Sequence, residues 1–318
     1  MSYESTTFFT SDHTPLSCRI YHSSSPSPSP GLVIHPGFNC PLTMLNLPSV
    51  ASSLQSKGLT VLLYDPRGIG SSPGTFRGDI DPPQYISDLS DALTHLRNLA
   101  SVNKDEVGIA GFSFGGTIAL TTAAVDTRVK FVIALAPLTD LDFVSEEQRF
   151  RVLKKCMQDK ESQVLGNEPV TVRVIDEEGK NPVGFGHEGG FDKEKYGRLV
   201  REGREGGEGW VNKVSLESYW KISLWTPWPL WKLLGRKERG LKGLMWVVPG
   251  RDEVSWPWLQ ERYFGEIEGE REGKGGEVKV RKWVVDGLGH EEILNEENYG
   301  VVMEMVWRFV RECLNEDE

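Results

Sequence analysis

No stretch of this chain approaches the ~18 consecutive apolar residues that a bilayer-spanning helix needs, so nothing in it reads as a transmembrane segment. The first ten residues lack both a basic and an apolar block, which argues against a secretory signal and makes the cytoplasm the expected location. Cysteine is scarce: Cys18, Cys40, Cys156 and Cys313 are scattered without C-x-x-C spacing. That scatter fits reduced thiols and argues against a zinc site. Basic residues are in deficit, 36 Lys and Arg against 46 Asp and Glu, leaving a net charge of −10. A surplus of negative charge disfavours nucleic acid and anionic membranes as partners, and ordinary solubility is the plainer meaning of it.

What is present is enough for a large core: 318 residues, 38% of them apolar. Open α/β sheets with insertions reach this length as one unit. Ser5 to Thr10 and Leu16 to His22 read as strands joined by a turn, and Ser23 to Pro30 is a Ser/Pro connection. Leu32 to Ile34, Leu59 to Tyr64, Val107 to Ala110 and Lys130 to Leu135 are short buried-type strands. Helical spacing between them covers Leu42 to Lys57, Pro82 to Ala100 and Thr117 to Ala124. Such alternation predicts a parallel sheet covered on both faces.

From Pro137 to about Leu241 the alternation stops. A charged, partly helical piece (Glu146 to Lys160) precedes a strand-like Val170 to Asp176, and then comes a Gly/Glu/Arg-rich run, Gly184 to Gly209. The pattern resumes with strands at Gly243 to Val248 and Val278 to Val285, separated by a second Gly/Glu-rich run, Gly265 to Gly276, and ends in a helix, Tyr299 to Leu314. Residues 137–240 are therefore expected to form an inserted cap between core segments 1–136 and 241–318, with the two glycine-rich runs as mobile loops.

Gly111-Phe112-Ser113-Phe114-Gly115 is a G-x-S-x-G pentapeptide between a strand and a helix. A sharp turn there exposes the serine as a nucleophile, and small flanking residues make room for it. In open parallel sheets functional groups gather past the carboxyl ends of the strands. The strand Gly243 to Val248 runs into Gly250-Arg251-Asp252, and Val278 to Val285 runs into Gly287-Leu288-Gly289-His290. The order Ser113, Asp252, His290 supplies a nucleophile, a base to take its proton, and a carboxylate to orient that base. Asp140, Asp142 and Glu253 are the competing acids. The oxyanion of an attacked carbonyl would be met by the backbone N–H of Phe114 and, from His35-Pro36-Gly37-Phe38, that of Phe38, with Gly37 the next choice. His35 itself is a loop brace or a substrate contact. Asp65-Pro66-Arg67-Gly68 forms either an internal salt bridge or a charged turn near the site.

These motifs together (His-Pro-Gly-Phe, Tyr64 to Ser72, Gly-Phe-Ser-Phe-Gly-Gly, Gly-Arg-Asp and Gly-Leu-Gly-His) resemble the α/β-hydrolase superfamily. Less extensively, Trp210 to Trp220 followed by Trp225 is similar to a segment of fungal polyketide-cluster hydrolases and acyltransferases. The resemblance implies an α/β-hydrolase fold with a mostly parallel sheet and an inserted cap. It also implies ester, thioester or acyl-transfer chemistry without a cofactor, on a hydrophobic polyketide-type molecule, with a carrier protein as a candidate partner that delivers it. Eight of the ten tryptophans fall between Trp210 and Trp258. Trp220, Trp225 and Trp228 are the expected lining of an apolar pocket, packing of the cap being the alternative use of them. Two other functions stay open: a lyase or cyclase using His290 as general base without an acyl-enzyme, and a non-catalytic binding protein on the same scaffold.

Overall fold

The computed structural model describes residues 2–185, 193–205 and 209–314. Its centre is an eight-stranded sheet in the order β1-β2-β4-β3-β5-β6-β9-β10. The strands are β1 (Glu4–Phe9), β2 (Pro15–Tyr21), β3 (Ser29–His35), β4 (Thr60–Tyr64), β5 (Val102–Phe112), β6 (Phe131–Leu135), β9 (Gly243–Pro249) and β10 (Lys279–Val285). The β1–β2 and β2–β4 pairings are antiparallel, and every pairing from β4 to β10 is parallel. The central strands β4 and β6 are buried along their whole length, as unbroken apolar runs covered on both faces must be.

One apolar layer packs α1 (Leu47–Ser56) and α9 (Tyr299–Leu314) against the sheet. The opposite layer holds α2 (Pro82–Arg97), α3 (Phe114–Val125) and α8 (Pro257–Gly273). Among the described residues no helix is long and apolar enough to cross a membrane.

Between β6 and β9 the chain leaves the sheet. It forms α4 (Glu146–Val164), the short pair β7 (Thr171–Val172) and β8 (Val214–Ser215), α5 (Lys193–Glu205), α6 (Leu216–Ser223) and α7 (Trp228–Trp231), which runs into a 3-10 turn at Lys232–Gly235. The end of this stretch departs from the expected cap: α7 and the 3-10 turn pack on α3 and α8, inside the helical layer. Trp231 is buried there and its indole N–H donates to Thr121 Oγ1 at 3.0 Å.

The expected loops also differ. Gly265 to Gly273 lies within α8, with Gly265, Gly269 and Gly273 facing open space. Their four-residue spacing puts every one on the solvent side, and the burial of Leu259, Phe264 and Ile267 on the other side holds the helix. Each glycine costs a helix about 1 kcal/mol relative to alanine, which is why composition alone pointed to a loop. In the first run, α5 occupies 193–205; residues 186–192 and 206–208 of that run, including His187, lie outside the described residues. Of Val170 to Asp176, only Thr171–Val172 is strand.

Candidate active site

The turn between β5 and α3 shows why its glycines are required. Ser113 has φ 56° and ψ −123°, a backbone conformation that a side-chain-bearing residue rarely adopts. A Cβ at Gly111 would lie 2.0 Å from the Gly115 carbonyl oxygen, and one at Gly115 would lie 2.1 Å from that of Pro36. The strain is held by hydrogen bonds on both sides: Ser113 N–H donates to Leu135 O at 2.9 Å, and Ser113 O accepts from Gly116 N–H at 2.8 Å. The close approach of Gly115 to Pro36 also locks the turn against the loop after β3, so Phe38 and Phe114 meet edge-to-face with ring centroids 5.6 Å apart.

Three side chains converge from three strand ends. His290 Nε2 is 2.8 Å from Ser113 Oγ, and His290 Nδ1 is 2.9 and 3.0 Å from the two Asp252 oxygens. With the carboxylate accepting from Nδ1–H, Nε2 presents its lone pair to the serine hydroxyl. All three are buried. Asp252 also accepts from Val254 N–H (2.9 Å), Ser255 N–H (2.7 Å) and Gln260 Nε2 (3.0 Å), which satisfies a carboxylate removed from water. Burial alone would lower the His290 pKa, but the Asp252 charge and its hydrogen bond outweigh burial and raise it above the ordinary value.

The Phe114 N–H opens a helix and so has no intrahelical acceptor. Among the described residues, Phe38 N–H likewise donates to nothing. Phe38, Ser113 and His290 all border a cavity of about 180 Å³. Its walls are largely apolar, from Met44, Leu45, Phe112 and Leu138 below to Val174, Ile175, Phe185, Leu199 and Trp210 above.

The expected pocket tryptophans are elsewhere. Trp220 lies under the Lys160 ammonium, which sits 4.5 Å from its ring; Trp228 stacks on Tyr263 with centroids 5.1 Å apart; and Trp225 packs edge-on behind Phe114 at 6.0 Å. None of the three borders the cavity that holds Ser113; Trp225 and Trp228 line a separate one. Trp225 and Trp228 fasten the end of the inserted stretch to the helical layer, while Trp220 joins α6 to α4 within the stretch. Trp210 is the tryptophan at the cavity. His35 is also away from it, fully buried against Tyr64 and Tyr85, with Nδ1–H donating to Pro36 O at 2.7 Å. Burial holds its pKa down to about 4, so it is a neutral brace of the loop that carries Phe38. Arg67 resolves as an internal salt bridge, to Asp88 at 2.7 Å and Asp12 at 2.9 Å.

Several further residues support the three expected ones. Gln260, one turn into α8, links the buried Trp246 indole N–H (3.1 Å) to Asp252. Glu253 accepts the His290 backbone N–H at 3.0 Å and pairs with Lys195 of α5. Glu291 lines the cavity beside His290, 3.6 Å from Arg198, and burial raises its pKa to about 7. The sequence offers Glu253 only as a competing acid; Glu291 was missed, and its place directly after His290 is the signal that would have found it. Leu199 and the α5 contacts had none.

A parallel sheet with a strained serine between strand and helix, and an Asp–His pair reaching it from two later strand ends, defines an α/β-hydrolase fold. The chain belongs to that family: the alpha/beta hydrolase fold family matches residues 30–173. It is 36% identical over 285 residues to a thiohydrolase of Eupenicillium brefeldianum, spanning 90% of this chain and 87% of the relative. It is 35% identical to the acyltransferase drtE of Aspergillus calidoustus, spanning 86% of this chain and 85% of that one. The structure of DcsB in complex with its substrate analogue superposes with a TM-score of 0.85 at 31% identity, covering 98% of this chain and 99% of DcsB.

Proposed function

We propose that this chain is a serine-dependent acyl-transfer enzyme that cleaves a thioester or ester of a hydrophobic, polyketide-type acyl group. Ser113 Oγ attacks the carbonyl carbon as His290 Nε2 takes the hydroxyl proton, and the Phe38 and Phe114 N–H groups receive the oxyanion. Collapse expels the thiolate or alkoxide, which leaves with the proton from His290, and the acyl group stays on Ser113. Water, activated by the same imidazole, then releases the acid. The inserted stretch as far as α6 (137–223) acts as the cap that closes the cavity, and a carrier protein is a fitting donor of the thioester. The observation that carries this reading is the 2.8 Å Ser113–His290 hydrogen bond with Asp252 behind it. The apolar cavity walls and the thiohydrolase relative support the substrate class.

The test is thiol release from an N-acetylcysteamine thioester of a medium-length acyl chain. Ser113→Ala should lose on the order of 10³-fold or more of the turnover. The wild type should carry a transient acyl adduct on Ser113, visible by intact mass. Full turnover in Ser113→Ala, or activity with no adduct and no labelling by a fluorophosphonate, favours His290 acting as a base without an acyl-enzyme. The acyltransferase relative favours a second acceptor for the same acyl-enzyme, read out as ester formed when an alcohol competes with water.

A further inference from the structure

The 19-residue helix α4 has two faces that the active site does not explain equally. Its inner face is anchored: Val152 and Cys156 are buried, Cys156 Sγ–H donates to Leu216 O at 3.1 Å, and Lys160 pairs with Glu217 at 3.1 Å. Its outer face carries Phe150, Met157 and Val164, each two turns from the next, with Phe150 73% and Val164 87% exposed. Lys154 and Glu161 lie on the same stripe, both exposed and without an ion-pair partner among the described residues. At 100° per residue these five positions fall within about 80° of the helix circumference. Three bare apolar side chains in one line are not the scattered exposure that an ordinary surface shows.

The pattern is complementary to itself when run backwards. Across a two-fold axis at Met157, an antiparallel second α4 sets Phe150 against Val164 and brings Lys154 alongside Glu161, while Met157 meets its own copy. A two-fold interface requires such reciprocity, since each patch must fit itself. We propose that the outer face of α4 is a self-association surface and that its partner is a second copy of this chain, paired antiparallel through Phe150, Lys154, Met157, Glu161 and Val164. A crossing of two helices about 28 Å long covers less than the ~1,600 Å² of a standard interface, so the dimer is expected to dissociate on dilution. None of this stripe's side chains lines the cavity that holds Ser113.

Sedimentation velocity over a concentration series tests this. The wild-type chain should pass from monomer to dimer with rising concentration. Lys154→Glu and Glu161→Lys should each shift the midpoint at least tenfold toward higher concentration. The double variant Lys154→Glu/Glu161→Lys should recover the wild-type midpoint. The two residues stand about 10 Å apart along their own helix, too far to pair with each other, so recovery can come only from a second copy. Circular dichroism of each variant controls for folding. A wild-type protein that stays monomeric at ~100 µM, a dimer that neither single charge reversal weakens, or a double variant that stays weakened would overturn the proposal. So would a monomer that floats with phosphatidylcholine vesicles, which would assign the stripe to a lipid surface.

Discussion

Asp252 sets the state of His290 by opposing what burial does to it. The carboxylate raises the imidazole pKa above its ordinary value, while desolvation pulls the other way. In the proposed mechanism the imidazole must be neutral to accept the serine proton, so kcat/KM should rise with pH through that elevated pKa. Asp252→Asn removes the charge that favours the imidazolium and leaves burial to dominate. The rising limb should move to lower pH, and the plateau should fall on the order of 10³–10⁴-fold because the tautomer is no longer enforced. A pH profile between about 5 and 9 reads both effects, and an unmoved limb would argue against an Asp252–His290 pair. The serine, the acid and the histidine were legible from motif and position after a strand. Gln260 was not, because its role depends on a helical turn folding back to Asp252.

Polar contacts tie helix α5 to the loops around the site. Lys195 pairs with Glu253, Arg198 lies 3.6 Å from Glu291, and Glu202 accepts the backbone N–H of Leu45. Two of those partners adjoin Asp252 and His290, and Leu45 and Leu199 both line the cavity. Partly exposed pairs of this kind contribute roughly 0.2–1 kcal/mol each. Lys195→Met/Arg198→Met should therefore leave the melting temperature nearly unchanged but loosen the wall over the cavity. KM for the thioester should rise by about fivefold, with kcat much less affected, as a ~1 kcal/mol loss of binding predicts. Steady-state kinetics beside a melting curve check it; a drop in kcat alone would count against the wall role. Composition hid α5 and the end of α8 because glycine and charge mark loops on average. Which side of a helix the glycines face is decided only by what packs on the other side.

At the scale of the molecule, the Arg67 network joins parts of the chain distant in sequence. Arg67 bonds Asp88 on α2 and Asp12 and Thr14 in the turn between β1 and β2. Asp88 is buried, and burial already raises its pKa against the pull of Arg67. Arg67→Ala would leave that carboxylate without its cation, at a cost of roughly 3–5 kcal/mol at neutral pH. A carboxyl whose folded pKa lies above its unfolded value favours folding in acid and opposes it as pH rises through the folded pKa. Removing the cation raises Asp88 further. The same change lets Asp12, which Arg67 holds well below the usual carboxylate range, return toward it, forfeiting stability that exists only above its unfolded pKa. Both terms make the loss largest near neutrality and smaller toward pH 4. Denaturant titrations at the two pH values check the sign, and a pH-independent difference would exclude the charge as its origin.

By itself the sequence determined the strand-helix alternation, the strained serine turn and the order Ser113, Asp252, His290. These are local: apolar period, turn stereochemistry and distance past a strand end are written in neighbouring residues. Only the tertiary structure decided where the inserted stretch touches. Trp225 and Trp228 fasten its end to the helical layer and Trp220 packs against Lys160 within it, whereas Trp210, Val174, Phe185 and Leu199 meet over the cavity. A large apolar ring is equally suited to filling a core or lining a pocket. The choice between them follows from the side on which the rest of the chain covers it.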